Sequence, residues 1–415
     1  MKISGRRVVT QAKFSKNFIK IDPTPPSKLV IFLTIVILIC LSVGYSWGIA
    51  RPRQLIWDEQ HHVPAAQSYL RGDKNLYRDL RNPPLGKEFI ALSIEIFGDN
   101  YFAYRLPAAL SAAAIGALLF LVGTWLTASW GGGALSLFLW ISSSLALLHA
   151  RLGMLDMPTS LFFFAGLAAF LPVLNNPQGK TRCYWIILAC FLTAAGGMIK
   201  VIVFVLYPIF ALALWECRMH WPLRQSLPRL LGAASFWTLA LLLLTYGVIG
   251  FSPGEIPRQW KLMLDLQTQL HKDYSGLSRW YEWFWGGGSL WYRSKPLPTG
   301  ISYAALCKQN PVLWFAGILS TIGMFVSWCR SRRPTELAMA SAVLAQIVFW
   351  MLFKEQQILT YALPMEPFFC LNSAYLLKKL LKNQSHFFIW GLCLAGAAFF
   401  FLWKSYPQVL GTYMP

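Results

Sequence analysis

Long apolar runs separated by short charged stretches dominate the chain. The first run, Leu29 to Ala50, contains no charged residue. A helix needs about 20 mostly apolar residues to cross the hydrocarbon core of a bilayer. Comparable runs follow at 104–127, 130–150, 157–174, 183–199, 201–216, 230–250, 311–329, 335–353, 361–377 and 386–404. The pattern predicts an all-α polytopic membrane protein with about eleven transmembrane helices. The pair of runs flanking Lys200 reads either as two helices or as one long kinked segment. Two long polar stretches, 51–103 and 251–310, interrupt the series, and no repeat, low-complexity tract or Pro/Ser-rich linker divides the chain. The expected organisation is a basic tail over 1–28, one membrane domain over 29–404 and a short tail over 405–415.

Composition sharpens this picture. Of 415 residues, 56% are hydrophobic and 13% charged, against about 25% charged in ordinary soluble domains. A soluble enzyme, a disordered chain and a small disulfide scaffold are thereby excluded. The net charge of +20 invites a nucleic-acid reading, but a surface this apolar requires lipid before any other partner. The placement of the cations explains the excess. The first 28 residues carry Lys2, Arg6, Arg7, Lys13, Lys16, Lys20 and Lys28 against Asp22 alone. Short connections on the same expected side hold Lys180, Arg182, Arg218, Arg224, Arg229, Arg330, Arg332, Arg333, Lys378, Lys379 and Lys382, whereas those opposite hold only Arg151, Lys200 and Lys354. Short-loop cations mark the cytoplasmic side. The N-terminus is therefore expected inside, the C-terminus and both long loops outside. The basic region is too long for a signal peptide and lacks a small-residue cleavage site, so the first span is expected to be retained. The eight cysteines show no CxxC or zinc spacing, which argues against a disulfide framework or a cysteine metal site.

The first long loop is the chemical anomaly. Residues 51–105 contain 7 of the 17 acids and 8 of the bases. Asp58 and Glu59 follow directly on the first span, and a carboxylate held there can take a proton from a hydroxyl. A pair of acids after a helix is more often a solvated turn, but this pair is accompanied. Asn82-Pro83-Pro84-Leu85-Gly86-Lys87 places a lysine near the start of an apolar helix, a position suited to anions, although such a run is commonly just a helix start. Arg105 opens the second span, where a snorkelling surface arginine is the bland reading. Asp156 and Lys200 lie at span ends, where ionisable groups are costly and by default functional; they could equally form one structural ion pair. His61 and His62 cannot both face one site, and no His/carboxylate ligand spacing supports a metal. Trp280, Trp283, Trp285 and Trp291 suit either an acceptor groove or an interfacial aromatic belt. Trp260 to Leu270 is amphipathic and is expected on the membrane surface.

These pieces, in this order, resemble the dolichyl- or polyprenyl-phosphate-mannose protein mannosyltransferases of the GT-C glycosyltransferase superfamily. The matching motifs are Asp58-Glu59-Gln60-His61, Tyr69-Leu70-Arg71-Gly72, Pro83 to Lys87, Arg105-Leu106-Pro107-Ala108-Ala109, Leu155-Asp156 with Phe162-Phe163-Phe164, Lys200, the Ser278 to Trp283 stretch with Trp291-Tyr292, and Tyr361, Leu363, Pro364, Pro367 and Phe368. Together they span about 45–370. Asn82 replaces the family's histidine before the prolines, and Lys354 stands where an arginine is usual. The second long loop is too short for the β-trefoil (MIR) domain of eukaryotic members, which points to a short prokaryote-like member.

The resemblance implies a GT-C fold and an inverting glycosyltransferase in the plasma membrane with its site facing the periplasm or exterior. Its donor would be polyprenyl-phosphate-mannose and its acceptor a Ser or Thr of a translocated protein. Relatives that glycosylate a lipid, such as aminoarabinose transferases, share several motifs and are the nearest competitors. A transporter or flippase for a lipid-linked substrate is the rival outside enzymes, but it predicts internal repeats and mid-membrane charges. In the implied mechanism Asp58 is the base, and Glu59 orients the acceptor or supports the donor-binding cations. Arg105, Lys87 and Lys200 bind the donor phosphate, and His61, Asp156 and Tyr361 support them. Trp280 and Trp283 serve the acceptor or the interface. Apart from the lipid-linked donor, no cofactor or metal is called for. Membrane lipids are expected partners, and nucleic acid is not.

Overall fold

The computed structural model describes residues 26–72, 80–175, 181–219, 223–268, 278–296, 300–352, 357–381 and 383–414. Most of the basic tail, together with Lys180, Lys354 and Lys382, lies outside the described residues. The chain is an integral membrane protein, and the described residues are mostly helical. In order they form α1 (Lys28–Ser46), α2 (Glu59–Arg71), α3 (Leu85–Phe97), α4 (Tyr101–Thr127), α5 (Trp130–Ile141), α6 (Ser144–His149), α7 (Asp156–Asn175), α8 (Arg182–Gly197), α9 (Leu206–Glu216), α10 (Leu223–Val248), α11 (Ile256–Thr268), α12 (Pro311–Ser331), α13 (Pro334–Met351), α14 (Glu366–Leu380) and α15 (Gln384–Leu410).

Helix runs through every apolar segment that the sequence marks out. Seven of these helices, α1, α4, α7, α10, α12, α13 and α15, are long and apolar enough to cross a membrane. The apolar helices α5 and α8 and the stretch Val201–Glu216 are shorter. The helix starts are chemically specified. Asn100 accepts from the amides of Phe102 and Ala103 to open α4, and Asn310 does the same for α12, with Pro311 in its first turn. Each cap satisfies donors that no helical carbonyl can reach.

The centre of the bundle is α4 and α7, whose surfaces are mostly buried, whereas α1, α10 and α15 present most of their side chains outward. Phe32, Phe236, Phe388 and Phe400 are among the large exposed side chains of these outer helices, as a lipid-facing surface requires. Inside, Phe163 and Phe164 of α7 meet the edge of Phe368 on α14 at 5.6 and 5.4 Å between ring centres.

Three interruptions break the helical pattern. Residues 150–155 separate α6 from α7, and residues 198–205 separate α8 from α9, ending in the 3-10 helix Val201–Val205. A second 3-10 helix, Leu359–Met365, precedes α14. The break at Lys200 resolves the ambiguity of the sequence there. The chain turns, so that Val203 and Phe204 pack against Gly196 and Gly197. Irregular backbone at membrane depth persists only where protein or a polar cavity covers it, and all three breaks meet at one place.

The second long loop adds a small antiparallel sheet to the helices. Its strands are β1 (Leu290–Arg293), β2 (Ser302–Cys307) and β3 (Thr412–Met414), in the order β1-β2-β3. Ile56 of the first loop bridges to Ser294 beside β1. Both long loops and the end of the chain therefore share one face of the bundle.

Candidate active site

The site begins where α1 gives way to the first loop. Trp57 adopts a left-handed backbone, with φ of 51°. This turn sends the two acids that follow to different places. Glu59 is fully buried, and four N–H groups occupy its carboxylate. Oε2 accepts from the Ile56 amide at 2.9 Å and from Arg105 Nη2 at 2.9 Å. Oε1 accepts from Arg105 Nε at 2.7 Å and from the Gly153 amide at 2.6 Å. Arg105 is equally saturated, since its remaining N–H groups go to the carbonyls of Ile49, Pro52 and Gln54 at 2.8, 3.0 and 2.8 Å. The guanidinium is fully buried. Gly153 is required at this point, because a Cβ there would lie 2.7 Å from the carbonyl oxygen of Tyr104.

This is a correction to the role expected of Arg105. A guanidinium with five occupied donors has none left for a phosphate. The ion pair instead ties the first loop, α4 and the 150–155 break into one unit. Glu59 likewise has no lone pair facing an acceptor. Of its two expected roles, support of a cation is the one its geometry fits.

Next to this clamp lies a second ion pair of different character. Lys200 Nζ sits 2.7 Å from Asp156 Oδ1. The lysine side chain is 17% exposed and the aspartate 3%. Asp156 Oδ2 is buried without a hydrogen-bond partner. Lys200 also lies 5.4 Å from the centre of the Tyr361 ring, a cation–π contact, and Trp350 stacks on that ring at 4.5 Å. Asp58 is half-buried at the start of α2, and its side chain does not cap that helix. Its charge acts on Lys200, Tyr361 and His149.

The Pro83 to Lys87 run closes the arrangement. The Leu85 amide donates to the Met198 carbonyl at 3.1 Å. A Cβ on Gly86 would meet both Ile199 and Leu155 at 2.8 Å. The glycine thus lets α3 start directly against the residues that precede Lys200 and Asp156. Lys87 is 1% exposed and donates to the Asn82 carbonyl at 2.9 Å. Its neighbour Glu88 is carried up to about 8 by burial, partly offset by the Lys87 charge.

Other expected residues fall differently. His61 is exposed, whereas His62 is 4% exposed and within electrostatic reach of Asp156. On a helix, adjacent side chains diverge by about 100°, so only one histidine of the pair can face inward. Trp280 is half-buried and packs edge-on against Phe284. Trp283 is 1% exposed and donates its indole N–H to Ser278 at 2.8 Å. It packs in the core and ties the loop from within. The sequence reading also missed His149, which is fully buried and bonded to Thr360 at 2.7 Å. A histidine closing an apolar run was the available signal. Among the described residues, no three His, Cys, Asp or Glu side chains gather as a metal site would require.

Residues 81–245 match the family model described as dolichyl-phosphate-mannose-protein mannosyltransferase. The polyprenol-phosphate-mannose–protein mannosyltransferase of Mycobacterium tuberculosis is 30% identical over 138 residues, which is 32% of this chain. That match spans about a quarter (26%) of the relative's own length. Among solved structures, ArnT from Cupriavidus metallidurans bound to undecaprenyl phosphate superposes with a TM-score of 0.63 at 15% identity, covering 88% of this chain and 63% of ArnT. The S. cerevisiae protein O-mannosyltransferase Pmt1-Pmt2 complex bound to the sugar donor gives a TM-score of 0.63 at 11% identity, covering 97% of this chain and 92% of that one. The chain shares its fold with these two solved structures, and its residues 81–245 match the family model of the dolichyl-phosphate-mannose-protein mannosyltransferases.

Proposed function

We propose that this protein transfers mannose from a polyprenyl-phosphate-linked donor to a hydroxyl acceptor, the side chain of a Ser or Thr in a translocated protein. The reaction takes place at the outer face of the plasma membrane. The chain crosses that membrane eleven times, with its N-terminus inside, and the basic tail and inner loops set the orientation. The observation that carries the proposal is the open Asp156–Lys200 pair beside the half-buried Asp58, inside a chain with the GT-C fold.

The acceptor oxygen attacks the anomeric carbon as the bond from that carbon to the phosphate oxygen breaks, so the configuration inverts. The acceptor proton passes to Asp58, and the phosphate leaves with the electron pair of the broken bond. A positioned carboxylate contributes roughly 10²–10⁴-fold to such a step. Fixed positive charge in a site shielded from water stabilises the leaving group. Lys200, partly exposed and held by a single carboxylate oxygen, supplies that charge, and Lys87 adds to the field. Asp156 keeps Lys200 charged and in place. Glu59 and Arg105 hold the frame.

The test is incubation of the purified protein with polyprenyl-phosphate-mannose and Ser/Thr-containing peptides, followed by mass spectrometry. A mannosyl-peptide is the expected product. The likeness to ArnT favours one second reading, a lipid acceptor. Transfer to lipid with every peptide left unmodified would select it.

A further inference from the structure

We propose that Tyr292 and Trp57 form a positioning clamp through which the second outer loop aims Asp58. The inference rests on the proposed role of Asp58 as the base. Among the described residues, three other than glycine have left-handed backbone, Trp57, Ala128 and Arg332. Ala128 and Arg332 sit at helix C-termini, where that conformation is the usual way to end a helix. Trp57 instead stands immediately before a helix start and before the proposed base. A bulky residue adopts this backbone only where its surroundings hold it there.

The holding groups come from the second loop. The Trp57 amide donates to the Arg293 carbonyl at 3.2 Å, and its ring stacks on Tyr292 at 5.0 Å with 11° between the planes. The Ile56–Ser294 bridge and the bond from Ser294 Oγ to Gln54 Oε1 at 2.6 Å fix the same register.

Tyr292 is fully buried, and burial raises its pKa well above the ordinary value, so its hydroxyl keeps its proton. The hydroxyl lies 3.3 Å from His149 Nε2, and the same nitrogen lies 2.7 Å from the Thr360 hydroxyl. Thr360 adjoins Tyr361, which covers Lys200. One ring thus touches both halves of the site. Through Trp57 it sets the turn that directs Asp58 and Glu59 apart, and through His149 and Thr360 it meets the segment that carries Tyr361. Tyr292 and Trp57 are positioning residues, since neither needs to touch substrate for this role.

The test compares Tyr292→Leu with Tyr292→Phe in the full-length purified protein. Misplacing a catalytic group by about an ångström costs roughly 10²-fold. Tyr292→Leu should therefore lower kcat for sugar transfer about 10²-fold while the donor KM stays within about twofold. Tyr292→Phe, which keeps the stack, should recover most of that loss. Hydrogen exchange gives a readout that needs no activity. Amides 55–62 should exchange at least about tenfold faster in Tyr292→Leu, with α4 and α7 unchanged. A Leu variant with near-native kcat, unchanged exchange over 55–62, or a Phe variant as impaired as the Leu variant would each overturn the clamp. If the unmodified protein transfers no sugar to any hydroxyl acceptor, the functional reading fails, and the exchange comparison still decides the clamp.

Discussion

Two buried ion pairs at the head of this bundle differ in how fully their hydrogen bonds are satisfied. In Glu59–Arg105 every donor and acceptor is occupied and neither side chain is exposed. In Asp156–Lys200 one carboxylate oxygen is idle and the lysine is partly exposed. A saturated pair can only hold structure, because any new ligand must displace an existing bond. An unsaturated pair with a partly exposed cation can take a ligand at that cation without displacing its existing bond. Both pairs join a carboxylate to a basic side chain; exposure and the number of free valences separate them.

The sharpest way to break this comparison is to remove one partner of each pair. Arg105→Met leaves Glu59 buried with an uncompensated charge, at a cost of about 3–5 kcal/mol against a total stability of about 5–15 kcal/mol. We expect loss of folded protein, read as a collapse of the monodisperse peak in detergent. Lys200→Met strands only Asp156, whereas Arg105→Met also strands the carbonyls of Ile49, Pro52 and Gln54. The lysine variant should therefore cost less stability and leave folded protein whose sugar transfer is lower by about 10²–10³-fold. Should both variants fold and both lose activity, the division of labour would be wrong. Asp156→Asn keeps the shape of the pair and removes its charge. It should lower turnover about tenfold and weaken donor binding as Lys200 loses its restraint, which a donor titration followed by single-turnover kinetics separates.

The smallest expected effect concerns the frame beside the pairs. Glu88 is raised from its ordinary 4.5 to about 8 by burial, with Tyr246 and Lys87 as its charged and titratable neighbours. Between those two values the unfolded chain has released a proton that the folded chain still holds. The contribution to stability is therefore complete below about pH 4.5 and is lost as the pH rises towards 8. Glu88→Gln carries no such dependence. Its melting temperature should gain a few degrees on the unmodified protein between pH 5 and pH 9, and parallel melting curves at all pH values would contradict the assignment.

Much of this arrangement is legible in the sequence, and the remainder has identifiable physical reasons for being hidden. Apolar run length is a direct readout of bilayer thickness, so α1, α4, α7 and α12 follow from it. Charges at span ends are costly enough to be conspicuous, which is why Asp58, Glu59, Arg105, Asp156 and Lys200 stand out before any coordinates. Which of two neighbouring acids is locked to Arg105 depends on one dihedral at Trp57, and no residue type announces a left-handed tryptophan. The choice between His61 and His62 depends in the same way on the phase of α2. Trp283 is buried because of a loop whose path the sequence does not specify. The three residues of β3 are too few to carry a strand signal.

The central claim is that Asp58, and not its saturated neighbour Glu59, accepts the proton of the acceptor hydroxyl. The direct measurement is turnover by purified Asp58→Asn with polyprenyl-phosphate-mannose and a Ser/Thr peptide, beside its melting curve. We expect an unchanged melting temperature and transfer reduced by at least about 10²-fold. A folded Asp58→Asn protein that transfers mannose at the native rate would contradict it.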